Sequence, residues 1–362
     1  MKIKRSAAFG GLVALSASLL VACGDAPDDD ANNEANSDYL PCMVSDFGGF
    51  NDKSFNEISH DGLLDGAKKL GGEYKDVESN TADDYAPNIQ GLVDEGCDMV
   101  IGVGFELSAP VVAAAKANSD LDFVLIDDAA DADFDGKTDV DNVKPLLYNT
   151  AEAAFLAGYA AADYTKTGKV GTYGGRGFPT VTVFMDGFAQ GVEYYNKEKG
   201  KDVKVVGWDR KKQDGSFTDG FEAGTKATNT ARQILEQDVD VILPVGGPIY
   251  EGAVTAINEG DYDAVIIGTD SDLYNKDKKA APLVFTSILK GMDLSTSQAI
   301  VAAGEGEFDA TPYIGTLENE GVGIADFHDY SDKISDTLQK ELDDLEAAII
   351  AGDIKVESYL NQ

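Results

Sequence analysis

Two stretches of this chain repeat each other. Asp98-Met-Val-Ile-Gly-Val-Gly-Phe105 aligns with Asp240-Val-Ile-Leu-Pro-Val-Gly-Gly247. Val112 and Ala114 align with Val254 and Ala256. Asp122-Phe-Val-Leu-Ile-Asp127 then aligns with Asp263-Ala-Val-Ile-Ile-Gly268, 24 residues after the start of the first copy and 23 after the start of the second. Each copy reads as apolar run, helical pattern, apolar run. Such a unit cannot bury its faces alone, so a duplication implies two similar lobes. The pattern extends outward. Apolar runs predict strands at 40–45, 73–77, 98–103 and 122–126 in the first half. In the second half they predict strands at 169–173, 203–207, 240–245 and 264–268. Amphipathic patterns predict helices at 53–70, 83–95, 108–117, 150–165, 180–197, 217–236 and 249–258. Short buried strands alternating with helices predict parallel sheets, so the fold class is α/β with two doubly wound lobes. Past residue 270 the pattern loosens: Leu283-Val-Phe-Thr-Ser287, helices at about 293–303 and 332–351, and a Gly-rich segment between them. This tail predicts a chain that crosses between lobes over several strands, which would form a hinge. The expected division is residues 39–148 plus about 270–312 for the first lobe, and 149–269 plus about 313–362 for the second.

The first 22 residues do not belong to this pattern. Lys2, Lys4 and Arg5 precede a small-residue-rich apolar stretch, Ala7 to Val21, too short for a convincing membrane span. It ends Leu20-Val21-Ala22-Cys23, which resembles the site at which bacterial signal peptides are cut before a lipidated cysteine. The expected mature chain begins at Cys23 and hangs from the outer face of the membrane by acyl chains. The alternative is an ordinary secretory signal with an incidental cysteine. Gly24 to Asp38 is acidic and polar, a solvated tether of 15 residues that spans roughly 20 Å as a coil.

Of 29 Lys and Arg residues, three lie in the signal segment, leaving 26 against 65 acidic residues, a net charge of −39. That surface repels nucleic acid and anionic lipid. Two cysteines remain, Cys42 in the first strand and Cys97 just before the third. In a doubly wound sheet those strands are neighbours, and an extracytoplasmic address permits a disulfide. The bridge would close a loop worth roughly 4 kcal/mol on the chain-entropy model. The alternative is two buried thiols.

The stretch from Val44 to Asn56 joins the first strand to the first helix through Asp46, Gly48 and Gly49. Such a turn puts side chains at the carboxyl edge of a parallel sheet, where open α/β folds bind ligands. Asp46, Phe55 and Asn56 thus offer an acceptor, a flat apolar face and an amide to one cleft. The plainer alternative makes Phe55 core and Asp46 a turn former.

Asp46-Phe-Gly-Gly-Phe-Asn-Asp-Lys-Ser-Phe-Asn56 resembles the opening signature of the BMP family, the purine-nucleoside-receptor lipoproteins of ABC importers. Gly174-Gly-Arg-Gly-Phe-Pro179 with Val181, Phe184, Gly187 and Phe188 resembles its middle block. Gly268-Thr-Asp-Ser-Asp272 and Thr286-Ser-Ile-Leu-Lys290 resemble its late blocks. The resemblance implies a type I periplasmic-binding-protein fold with a nucleoside between the lobes and a membrane permease as partner. It implies that Phe55 and Phe184 sandwich the base, that Asn56 and Asp127 read its edge, and that Asp270 and Lys290 hold the ribose. Asp46 falls at the family's cleft aspartate. These roles suit a purine, since stacking holds any flat base while ribose hydroxyls donate to carboxylates. Gly246 allows backbone to approach the ligand, or makes a plain turn. Phe47 and Phe50 are alternative stacking rings near the entrance.

Asp131, Asp133, Asp135 and Asp139 have calcium-loop spacing, but the twelfth position is Asn142 rather than Glu, and neither flank reads as a helix. A charged surface loop is the preferred reading, so no metal is expected. With only His60 and His328, and with no zinc-protease, nucleophile-elbow, dinucleotide or phosphate-loop motif, the chain is not expected to be an enzyme or to need a cofactor. The alternative functions are a binding protein for a sugar or other small polar metabolite, and a surface sensor or adhesion lipoprotein.

Overall fold

The computed structural model describes residues 38–131 and 137–361. The expected signal segment, Cys23, the tether to residue 37, Asp133 and Asp135 lie outside these residues. The first lobe opens with β1 (Pro41–Val44), α1 (Phe55–Leu70), β2 (Lys75–Val77), α2 (Tyr85–Asp94), β3 (Met99–Val103), α3 (Ser108–Ala117), β4 (Asp122–Ile126) and β5 (Val143–Tyr148). The second lobe follows with α4 (Thr150–Tyr164), β6 (Lys169–Gly174), α5 (Pro179–Lys199), β7 (Lys204–Val206), a short ribbon β8 (Trp208–Asp209) and β9 (Asp214–Gly215), and α6 (Thr225–Leu235). It continues with β10 (Val241–Val245), α7 (Tyr250–Gly260), β11 (Val265–Asp270), α8 (Leu273–Lys276) and β12 (Val284–Lys290). The tail adds α9 (Met292–Gly304), β13 (Tyr313–Gly315), β14 (Val322–Ile324) and α10 (Leu338–Ile350).

The sheets run β2-β1-β3-β4-β5-β13 and β7-β6-β10-β11-β12-β14. Both have the doubly wound order, with the topological switch between β1 and β3 in one and between β6 and β10 in the other. Within these two sheets all pairs are parallel except β12 with β14. The repeated segments are thus the same units, β3-α3-β4 and β10-α7-β11. Central strands such as Met99–Val103 and Val241–Val245 are buried throughout, as strands covered on both faces must be.

The lobe boundaries differ from those expected. Strand β12, placed by sequence in the first lobe, pairs with β11 in the second. Helix α9 then crosses and packs on α1, and β13 adds to β5 of the first sheet before β14 returns to β12 of the second. Pairing decides this: β12 has the apolar run needed to extend the second sheet, whereas β13 covers the open edge of β5. The chain passes between lobes at 148–150, 290–292 and 315–322. Helix α6 is also shorter than the expected 217–236. Phe217 instead bridges Gly174 of β6, and the helix begins only after Gly224, whose φ of 144° lies outside any helix.

Cys42 and Cys97 form a disulfide closing 55 residues. It ties β1 to the turn before β3, strands already hydrogen-bonded to each other. In the second lobe, α4 and α5 pack closely. A Cβ at Gly158 would lie 2.0 Å from the Phe188 carbonyl oxygen, and one at Gly191 would lie 2.0 Å from that of Phe155. This contact fixes α5, the helix that carries Phe184.

Candidate functional site

The carboxyl ends of both sheets face one cleft, with an empty space of about 670 Å³ including its open mouth. Asp46, Phe55, Asn56, Asp127, Phe184, Gly246, Asp270 and Lys290 all line it. They divide between an inner end beside the hinge and an outer end at the mouth.

At the hinge end, Lys290 closes β12 immediately before a crossing and is 2% exposed. Its Nζ lies 2.6 Å from Asp127 Oδ2 and 3.7 Å from Asp270 Oδ1. Asp127 follows β4 of the first lobe and Asp270 ends β11 of the second. Each has a left-handed backbone, φ 63° and 67°, which Asp tolerates better than bulkier residues. Ser54 Oγ donates to Asp270 Oδ2 at 3.0 Å. Burial raises both carboxyl pKa values and Lys290 opposes the rise. One ammonium cannot compensate two buried carboxylates, so this end calls for further donors. The ammonium also lies 4.9 Å from the Phe184 ring centre and 5.5 Å from that of Phe55, a cation–π arrangement that holds both rings beside it.

At the outer end Asp46 follows β1. Its Oδ1 accepts from the Gly48 backbone N–H and from Asn56 Nδ2, both at 2.8 Å. Among the described residues its Oδ2 has no hydrogen-bond partner. Burial lifts the Asp46 carboxyl to about 6 despite those bonds. Asn56 was expected to present its amide to a base. It lines the cleft, but Nδ2 also donates to Asp52 Oδ2 at 3.1 Å, and Oδ1 accepts the Asp46 N–H at 3.3 Å. The amide is engaged within the protein and orients Asp46. Asp52 in turn accepts the N–H groups of Ser54, Asn56 and Glu57, each at 3.0 Å, so it caps the positive end of α1.

Gly104 and Gly246 occupy equivalent places in the repeat, and both have positive φ, 102° and 133°. A Cβ at Gly104 would lie 3.3 Å from Phe55. One at Gly246 would lie 2.5 Å from Phe221. Gly246 therefore makes room for an aromatic ring at the cleft.

Sequence reasoning missed Phe105, Glu106, Phe178 and Phe221, which also line the cleft. Phe105 and Glu106 follow the repeated Val-Gly of the first lobe, and that position was the available signal. Phe221 lies in the stretch 217–236, whose pattern predicts helix. Asp139 faces Lys116 at 3.5 Å, and no cluster of potential metal ligands occurs among the described residues.

Residues 40–359 match the family described as Bmp, ABC transporter substrate-binding protein PnrA-like. BmpA of Lactococcus lactis subsp. cremoris, described as an ABC transporter nucleoside-binding protein, is 28% identical over 98% of this chain and 99% of its own length. Basic membrane protein A of Borreliella burgdorferi is 30% identical over 86% of each chain. A solved solute-binding protein of an ABC transporter system from Aeropyrum pernix superposes with a TM-score of 0.76 at 25% identity, covering 88% of this chain and 92% of that one. This chain belongs to the Bmp family of PnrA-like ABC transporter substrate-binding proteins, a family of binding proteins and not of enzymes.

Proposed function

We propose that the chain binds a purine nucleoside between its lobes and delivers it to the membrane permease of an ABC importer. The observation that carries this reading is the hinge-end triad. Two aspartates, one from each lobe, meet one buried lysine beside two aromatic rings. Ribose hydroxyls are the donors that such a carboxylate pair lacks. The base then lies between Phe55 and Phe184, and stacking contributes about 1–3 kcal/mol per ring. Asp46 Oδ2, held in place by Asn56 and Gly48, accepts from the base edge. Edge reading, expected of Asn56 and Asp127, thus passes to Asp46, while Asp127, paired with Lys290, joins Asp270 at the ribose. Because both lobes contribute ligands, binding favours the closed form, and the closed form is what the permease recognises.

The nucleoside-binding description of the Lactococcus relative supports the ligand class. The Leu20-Val21-Ala22-Cys23 sequence supports a lipid anchor at the outer face of the membrane. Intact-mass analysis of the membrane-extracted protein and of its Cys23→Ser variant tests that anchor. A diacylglyceryl mass on the wild type alone is expected.

The ligand is tested by calorimetric titration of residues 38–362 with guanosine, inosine, adenosine, cytidine and ribose, after co-purified ligand is removed by unfolding and refolding. Submicromolar binding of a purine nucleoside with ribose silent is the expected result. Silence from every nucleoside overturns the ligand assignment and leaves the family and fold standing.

A further inference from the structure

The cleft mouth carries an ion pair that the ribose and base contacts do not use. Arg176, in the turn after β6 of the second lobe, places Nη1 2.8 Å from Oε1 of Glu106, which follows β3 of the first lobe. Aromatic contacts surround the pair. Phe105 stacks on Phe178 across the lobes at 5.0 Å and 26°. Phe47 lies 6.1 Å from Phe221, also across the lobes. The guanidinium sits 5.6 Å from the Phe47 ring and 5.9 Å from that of Phe178.

Other interlobe ion pairs lie elsewhere. Lys53 meets Asp277, and Lys276 meets Glu57 and Asp61. Their first-lobe members lie just before α1 or in its first two turns, near Ser54, whose hydroxyl bonds Asp270 of the hinge-end triad. Glu106 and Arg176 follow strands set away from the crossings. Strand β3 is two strands from β5, and β6 is three strands from β12. At the usual strand spacing these are lateral offsets of roughly 10 and 14 Å. A rotation about the hinge therefore separates this pair.

Charge gives the pair a second property. Glu106 lines the cleft near Asp46, so closure brings two carboxylates into a less hydrated space. The compensating guanidinium arrives from the opposite lobe, and only when the lobes meet.

We propose that Arg176 and Glu106 form a latch over the base end of the cleft, which sets how long the lobes stay closed and hence how long a ligand is held. The residence-time part rests on the nucleoside reading; the closure part does not. Neither residue need touch the ligand, so both act as positioning residues.

The test is charge reversal with rescue. Arg176→Glu sets two carboxylates against each other at the mouth, Glu106→Arg sets two guanidinium groups there, and the double variant restores an opposite pair. Spin labels at Asp83→Cys and Glu222→Cys, in the full chain with Cys23→Ser, report the interlobe distance without any ligand. Stopped-flow displacement of guanosine reports release. The expected result is a shift toward longer distances and release about 10-fold faster in each single reversal, with both readouts returning toward wild type in the double variant. Arg176→Gln serves as a milder variant, expected to show a smaller shift in the same direction. A distance distribution unchanged by either reversal overturns the latch, as does a double variant no better than the singles, which would mark a merely local disturbance. If the parent binds no nucleoside, the ligand assignment fails while the distance measurements still decide the latch.

Discussion

The two ends of the cleft are built on opposite plans. At the hinge end the charged groups are buried, with Lys290 2% exposed, and each aspartate is held by a left-handed backbone. At the mouth the charged side chains are partly solvated, Arg176 at 38% and Glu106 at 23%, amid half-buried phenylalanines. The inner end is next to the crossing strands, so its geometry changes little when the lobes rotate. In the proposed latch, the outer end exists as a unit only when they close. In the proposed function, the first supplies recognition of what all nucleosides share, and the second governs access and base choice.

The strongest way to break this contrast is Lys290→Met. Removing one partner from a buried pair leaves an uncompensated charge, which typically costs about 3–5 kcal/mol. Urea denaturation is expected to show a loss of that order, and calorimetry to show nucleoside affinity reduced at least about 100-fold. Unchanged affinity would remove the hinge end as the anchor.

Phe55→Ala and Phe184→Ala come next. At about 1–3 kcal/mol per stack, each is expected to weaken nucleosides roughly 5- to 150-fold, measured by titration in parallel with the wild type. An equal loss for adenosine and guanosine would sharpen the division, because stacking does not discriminate strongly between purines.

The mildest test uses pH at the outer end. In the proposed function Asp46 accepts from the base edge most strongly when ionised, and burial lifts its carboxyl to about 6. Affinity for a purine that donates from its edge is therefore expected to be flat above about pH 7. It should fall by up to about 10-fold per unit below pH 6, with Asp46→Asn removing that slope. The same group acts on stability in the opposite sense. Its folded-state pKa lies above the ordinary value of 3.8, so the folded state binds the proton more tightly. Acidification from about pH 6 toward 4 thus stabilises the fold through Asp46, and ionisation above about 6 costs it stability. Tm against pH for wild type and Asp46→Asn measures this. An affinity profile without a step near pH 6 would take Asp46 out of base reading.

The sequence revealed the parts of this molecule that depend on local pattern. The repeated β-α-β unit was visible because buried strands are apolar along their length, as in Met99–Val103 and Val241–Val245. The neighbouring placement of Cys42 and Cys97 followed from strand order. Part of the cleft lining was visible through its motifs, including Lys290 at the end of Thr286-Ser-Ile-Leu, whereas Phe105, Glu106, Phe178 and Phe221 were not. Features made by long-range packing were not visible. Tyr313–Gly315 is only three residues long, too short to carry a period, and nothing local assigns it to the first sheet. Asn56 has the right type and place for a base reader, yet its amide bonds Asp46 and Asp52, a fact that depends on how a turn closes. Glu106 and Arg176 are 70 residues apart in sequence, and no spacing rule joins them.

The exchange of the last strands bears on how the molecule is made. A nascent chain that has delivered residues 39–148 still lacks β13, which seals the edge of its first sheet. It also lacks α9, which packs so closely on α1 that a Cβ at Gly62 would lie 2.6 Å from the Asp293 carbonyl oxygen. The part of α1 that α9 covers therefore stays open until residue 304 has emerged, by which time the core strands of the second lobe have been synthesised. Domains often mature one after another as they are translated. Here the earlier half waits on the later one, and neither half is an excisable piece.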